Sequence, residues 1–497
     1  MALMDHSNFH CLCCLLFALS TLSSISFIYW SRSSVPCKPE PSLLLGGELN
    51  RTLNLLSYPS AWNHLSFSPE PPPRLLKIAL FVKRWPHRSL AGGLERHALT
   101  LHRALARRGH EVHVFTTSSS SNHTLPNYPN ASSMQFHQTP PSPAGYLDQA
   151  LAWEQFRTQN ATGRPFDVVH TESVGLSHGR ARSIAHLAAS WHGIAYETIH
   201  SDIVQDLLRG PGEPRPHPAL AERIPKVVEE VKFFRDYAHH VATSDHVGDV
   251  LKRIYMIPEE RVHVIVNGVD EEVYRPDAAR GEAFRRDVGV PRNASLVVGM
   301  AGRLVKDKGH PLMFEALRQA FAESGGEEFR DVYVLVAGDG PWGARYRGLG
   351  PNVLVLGPLE QARLAAFYGS LDVFVNPTVR AQGLDHTFVE AMLSGLPVAG
   401  TRFASITGSL IVGPDVGYTF PPSVESLKEA LRRILADGRG VLKEKGEFAR
   451  KRAVRLFTAR KMAAAYERLF LCISRETQEK KDGDDYCRYP IPGDRPV

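Results

Sequence analysis

The stretch LLKIALFVKRWPHRSLAGGLERHALTLHRALARRGHEVHVF, residues 75–115, decides the fold. It opens with the short apolar run LLKIALFV (75–82), suited to a strand buried in a parallel sheet. A loop containing Gly92 and Gly93 follows. Leu94, Ala98, Leu101 and Leu105 then recur at helical spacing, and Gly109 is placed to stop that helix. EVHVF (111–115) resumes a strand. Strand, glycine turn, helix, strand is the unit of a doubly wound α/β domain.

Working outward, the alternation continues through strands at FDVVHTE (166–172) and IAYETIH (194–200), a helix near 219–238, and VHVIV (262–266). NGVD (267–270) is a turn signal that closes the first domain, set at 75–275. A second start comes at SLVVGMAGRL (295–304): apolar strand, turn with Gly302 and Gly309, then a helix beginning near Pro311, a residue favoured in a first turn. VYVLVAGDGP (332–341), NVLVLGP (352–358) and DVFVNPT (372–378) are further strand ends. The expected architecture is α/β: two Rossmann-like doubly wound domains facing a cleft, the second at 295–440. Helices at 441–475 are expected to pack across both, leaving a tail at 476–497.

The chain has 497 residues and a formal charge of +6, small for its length. No basic stripe interleaved with aromatics marks a nucleic-acid partner. After a short tail (1–10), residues 11–30, CLCCLLFALSTLSSISFIYW, carry no charge and are long enough to span a bilayer, which takes ~20 helical residues. No Lys or Arg precedes the run and no clean small-x-small site follows, so it reads as an uncleaved signal-anchor, with a cleaved signal peptide as the rival. Residues 31–74, rich in Pro and Ser, read as a flexible stem. Arg32 and Lys38 follow the span, which leaves a cytosol-facing orientation open. Asn50, Asn122, Asn130, Asn160 and Asn293 each sit in an N-x-[ST] acceptor, which points to a lumenal body, in the Golgi or endoplasmic reticulum. The six cysteines lie at the ends of the chain: Cys11, Cys13, Cys14 and Cys37, then Cys472 and Cys487, which could pair in an oxidising lumen.

Four places carry candidate chemistry. Gly92 and Gly93 precede a helix, where backbone N–H groups could meet a phosphate or simply make a tight turn. No G-x-G-x-x-G follows the first strand, which argues against a dinucleotide dehydrogenase. In AGRLVKDKGHP (301–311), Arg303 and Lys308 bracket a loop that opens a helix. Two cations there are unfavourable for the helix unless an anion lies between them, and a diphosphate fits. His192, in SWHGIAYE, is placed to end a strand at the cleft or to be a satisfied core histidine. In RAQGLDHTFVEAMLSG (380–395), Thr387 and Glu390 have the form of a capping box. The same segment follows the carboxyl end of a strand, where α/β ligands bind. No D-x-D asks for a metal.

From about Leu75 to Cys472 the order of motifs resembles the retaining glycosyltransferases of family four, which have the GT-B fold. The resemblance rests on GGLERHALTLHRALARRGHEVHVFT, VIVNGVDEEVYRP, AGRLVKDKGH, VAGDGP, LGPLEQARLAAFYGSLDVFVNP and FVEAMLSGLPVAGT. It implies transfer of a sugar from a nucleotide-diphosphate donor, a UDP- or GDP-sugar, with retention and without a metal or other cofactor. The acceptor, a glycan, lipid or small molecule, would lie on the first domain and the donor on the second. It implies that Glu390 holds the ribose and that Arg303 and Lys308 hold the diphosphate beneath Gly92–Gly93. His192 would face the sugar, and the base would rest on backbone around LGPLE (356–360), Gly357 included. Aligned on EAM, Gln382 stands where the family has the first Glu of its E-x7-E motif. Gly383 matches, while LDHT (384–387) and TRFASITGS (401–409) depart. Arg303, Lys308, Gln382 and His192 are thus the expected catalytic set. Gln382 also raises the alternative of a GT-B nucleotide-binding or scaffold protein whose catalysis has lapsed.

Overall fold

The computed structural model describes residues 52–60, 62–86, 92–118, 133–209, 219–323, 327–380, 383–475 and 486–494. The expected span at 11–30, the acceptors Asn50, Asn122 and Asn130, and Gln382 lie outside the described residues. No helix among the described residues is long and apolar enough to cross a membrane.

Lys77–Phe81 is buried along its whole length, as the opening run predicts. Lys77 is tolerated because its ammonium donates to the Arg164 carbonyl at 2.9 Å and lies over the Phe166 ring. This strand is central in a seven-stranded parallel sheet. The spatial order is Met134–Thr139, Glu111–Thr117, Lys77–Phe81, Val168–Glu172, Leu187–Trp191, His239–Ala242, Val262–Val264. A second parallel sheet has six strands: Val353–Gly357, Val332–Ala337, Leu296–Ala301, Val373–Asn376, Val398–Thr401, Gly417–Phe420. In both sheets the first strand in the chain lies between the second and the fourth, the doubly wound order. A crevice opens at the carboxyl ends of the first and fourth strands in such a sheet. Both sheets lie within one compact unit, Leu53–Val497.

Helix Gly93–Arg107 buries His97, Ala98, Leu101, His102, Leu105 and Ala106 on one face. Helix Ala459–Ile473, capped by Thr458, shares that core through Tyr466, Leu469 and Phe470. The long helix Val424–Leu456, broken at Gly438, belongs to the second sheet. The crossing is pinned where Val269 N–H donates to the Phe457 carbonyl at 2.9 Å and Ala459 N–H to the Val269 carbonyl at 2.8 Å.

Two expectations need correction. IAYETIH lies at the start of a helix, Ala195–Leu207, and the strand is the preceding Leu187–Trp191. The stem does not run free from Leu53 onward. Leu53–Asn54 pairs antiparallel with Arg488–Tyr489, Trp62 is fully buried, and Asn63 bonds the Val264 carbonyl and the Val266 amide. Cys472 and Cys487 are disulfide-bonded beside this pairing.

Candidate functional site between the two sheets

Most of the expected site residues fall at the carboxyl ends of the two sheets' first and fourth strands, or one strand further, while Gly357 ends the third strand of the second sheet, at its edge. On the first sheet, Gly92 caps helix Gly93–Arg107 after the first strand, Glu172 ends the fourth, and His192 follows the fifth. On the second sheet, Gly302 and Arg303 follow Leu296–Ala301, and the loop to helix His386–Leu393 follows Val373–Asn376. The two sets meet. A Cβ on Gly93 would lie 3.5 Å from His386 Nδ1, and one on Gly383 would lie 2.3 Å from Thr243 Oγ1, so glycine is required at 383 for this approach.

Glu390 does not cap its own helix. The cap is Asp385, whose carboxylate accepts from the Thr387 amide at 3.1 Å, so the capping-box reading started the helix two residues late. Freed of that task, the buried Glu390 carboxylate pairs with Arg96 of the first domain and accepts from Tyr368 OH at 2.8 Å. Arg96 also donates to Tyr274 OH at 3.1 Å. Burial pushes the Glu390 carboxyl above the usual range, against the pull of Arg96. Burial also works against the charge on Arg96, but Glu390 and the two tyrosines outweigh it and raise its pKa. The pair bridges the two domains.

Lys308 donates to Asp385 at 2.7 Å. Burial opposes ionisation of Asp385, and Lys308 outweighs it, holding the carboxyl well below the usual range. Arg303 is exposed, and its side chain bonds no described residue. Beside it the backbone is bare: Gly302 has φ +124°, and a Cβ on Gly338 would lie 1.8 Å from the Gly302 carbonyl oxygen. Gly357 ends the neighbouring strand with φ +72°, and a Cβ there would meet open space. Arg303, Lys308 and these glycines form a cationic, side-chain-poor rim.

His192 is neither an isolated core histidine nor free in the cleft. Its Nε2 lies 2.6 Å from Glu172, whose other oxygen is 3.0 Å from His97 Nδ1. Burial and the adjacent His97 hold His192 below the usual histidine range. Burial opposes ionisation of Glu172, yet the two histidines hold its carboxyl far below the usual range. The ligand-type atoms of His97, Glu172 and His192 lie within 4.8 Å of one another, a spacing a metal can use. Their short hydrogen bonds make a self-sufficient carboxylate–imidazole network. It continues through Tyr466 OH, 3.4 Å from His97, then Ser190, His170 and His102.

Residues 91–273 match the family described as Glycosyltransferase Family 4, and residues 295–437 that described as Glycosyl transferases group 1. D-inositol 3-phosphate glycosyltransferase of Xylanimonas cellulosilytica is 30% identical over 341 residues, covering 64% of this chain and 76% of that one. The chain belongs to the family 4, group 1 glycosyltransferases. A GDP-mannose-dependent alpha-mannosyltransferase of Corynebacterium glutamicum is 31% identical over 170 residues, 32% of this chain and 37% of its own. Among solved structures, sucrose-phosphate synthase of Thermosynechococcus elongatus superposes with a TM-score of 0.63 at 20% identity, covering 80% of this chain and 98% of its own. HepE of Anabaena in complex with UDP-glucose superposes at 0.57 with 17% identity, covering 79% and 98%. These two establish the GT-B fold.

Three residues at the heart of this glycosyltransferase's cleft escaped sequence reasoning: Arg96, Glu172 and Asp385. Each left a signal. Arg96 is a cation in a helix's first turns, the anomaly that drew attention to Arg303 and Lys308. Glu172 is the last residue of the buried strand Val168–Glu172, on the ligand side of a parallel sheet. Asp385 stands immediately before the helix, the preferred place for a cap. Of the two sequons within the described residues, Asn293 is exposed, and Asn160 Oδ1 accepts from the Phe166 amide at 2.9 Å.

One buried acid predicts a pH effect. Burial pushes the Glu197 carboxyl of the glycosyltransferase up to about 8. The unfolded chain releases this proton near the ordinary value, and the folded chain holds it. Glu197 therefore lowers stability progressively as pH rises from about 4.5 to about 8, by on the order of a few kcal/mol. Chemical denaturation of Glu197→Gln should show that fall reduced relative to wild type across this window.

Proposed function

We propose that the chain transfers a sugar from a UDP- or GDP-sugar to an acceptor with retention of anomeric configuration. The observation that carries this reading is the cationic rim: an exposed Arg303 and a Lys308 at a helix start, beside three glycine turns at strand ends of the second sheet. Departure of the nucleotide puts negative charge on the diphosphate. Arg303 and Lys308 stabilise that charge where it develops. Glu390, already fixed by Arg96 and Tyr368, presents a carboxylate to the ribose. His192, oriented by Glu172, presents its ring to the sugar. Gln382 bonds a sugar hydroxyl without adding charge. The base lies along the backbone near Gly357. In this reading the electrostatic work belongs to the two cations, and no metal is called for. The names of two similar proteins support the donor class: one is GDP-mannose-dependent, and HepE holds UDP-glucose.

The same reading places the enzyme on a membrane through residues 11–30, with its body in the lumen of the Golgi or endoplasmic reticulum. The Cys472–Cys487 disulfide and exposed Asn293 support an oxidising compartment. The test is turnover with a panel of UDP-, GDP- and ADP-sugars, with the product anomer read by NMR. Transfer from a UDP- or GDP-sugar with the donor's configuration kept supports the reading; inversion or inactivity on every donor refutes it. A shift on gels after glycosidase treatment checks the lumenal placement.

A further inference from the structure

Four glutamates are buried among the described residues: Glu172, Glu197, Glu390 and Glu467. Three are satisfied. Glu172 bridges two histidines, Glu390 holds Arg96 and Tyr368, and Glu467 takes Arg108 and His110. Glu197 is 2% exposed, and neither of its carboxyl oxygens makes a well-formed hydrogen bond, the Ile194 backbone standing only near enough to favour its charge. His246 Nε2 lies 3.6 Å away, beyond hydrogen-bonding reach. A buried polar group left unpaired is costly, so a fold keeps one only where something else is gained.

The position says what that is. Glu197 lies in the first turn of helix Ala195–Leu207, five residues beyond His192, which follows strand Leu187–Trp191. Arg380 of the second domain is among the charges acting on it. Arg380 in turn bonds Asp307, next to Lys308, and lines a small cavity with Thr378, Gly383 and Asp385. His246 is the second residue of helix Asp245–Arg253, whose Asp245 accepts from Ser409 across the same domain boundary. Glu197 therefore belongs to the wall where the two domains meet beside the candidate site. Asp385 is already committed to Lys308, Asn376 and its helix cap.

We propose that Glu197, with His246 beside it, forms a subsite that accepts and donates hydrogen bonds to the hydroxyls of a sugar. This rests on the glycosyl-transfer reading above. The hydroxyls could belong to the donor's glycosyl group or to a sugar acceptor, and the experiment separates the two. Glu197→Ala removes the hydrogen-bonding group, and Glu197→Gln keeps its shape and its capacity to donate and accept. Binding of nucleoside diphosphate and of nucleotide sugar is measured by calorimetry for wild type and both variants, alongside donor hydrolysis and acceptor transfer. Thermal melting confirms that both variants are folded.

If the donor's glycosyl group is held, Glu197→Ala weakens nucleotide-sugar affinity about tenfold or more and leaves nucleoside diphosphate affinity unchanged. If the acceptor is held, its KM rises by a similar factor while donor hydrolysis is unchanged. In either case Glu197→Gln recovers most of the loss, which a role in packing alone would not produce. A wild type that turns over a nucleotide sugar, with a folded Glu197→Ala variant within twofold of it in every measurement, overturns the subsite and leaves the proposed function standing. A wild type inert on every donor overturns both.

Discussion

Arg303→Ala is expected to lower kcat by about 10²–10³-fold while leaving stability within about 0.5 kcal/mol of wild type. The two halves of that expectation have separate causes. Arg303 is exposed and its side chain bonds no described residue, so its loss strands no partner among the described residues. Its proposed work is confined to the charge that develops on the departing diphosphate, and removing one such donor is typically worth the factor stated. Lys308→Ala is a less clean experiment. Lys308 neutralises Asp385, which caps helix His386–Leu393, so its loss should damage structure and rate together. Steady-state kinetics and denaturation on both variants would separate the roles. An Arg303→Ala enzyme with wild-type kcat would remove Arg303 from the chemistry.

Glu390→Ala is expected to cost about 3–5 kcal/mol of stability and to abolish donor binding. The side chain is 1% exposed, and its removal strands the Arg96 guanidinium together with Tyr368 OH. The penalty comes mainly from the uncompensated charge left behind. The double variant Arg96→Met plus Glu390→Met should therefore recover much of the stability without recovering binding. Urea denaturation of the wild type, two single variants and the double variant forms the cycle. A negligible coupling between positions 96 and 390 would show that the interdomain pair contributes nothing.

The fold was legible because parallel strands buried on both faces write themselves as short apolar runs. The glycines that punctuate them at 302 and 357 take positive φ, whereas Gly92 opens its helix from an extended backbone. IAYETIH was misread because a short mixed apolar run carries no decisive period, and the real strand, LAASW, is small-residue-rich. The stem was misread for a different reason. Leu53–Asn54 is ordered by Arg488–Tyr489, and Ser68 by Asp494, partners more than four hundred positions away. Local composition holds no trace of them.

The candidate site was legible where chemistry contradicts local structure, as with two cations opening a helix. It was not legible where a residue has a satisfactory local role. Glu390 fits a capping box, and only Arg96, 294 positions earlier, shows that it does something else. Buried histidines at 97, 102 and 170 were invisible because histidine is ordinary at every depth in a chain with 22 of them. Glu197 was missed because nothing in its neighbours in sequence says that its oxygens go unpaired.

The central claim is that Arg303 and Lys308 hold the diphosphate of the donor. Calorimetric titration of UDP and GDP into wild type and into Arg303→Ala plus Lys308→Ala tests it most directly. Binding of one nucleotide by the wild type, with affinity reduced at least about 100-fold in the double variant, is the predicted result. Nucleotide binding that is unchanged by loss of both cations would contradict the assigned site.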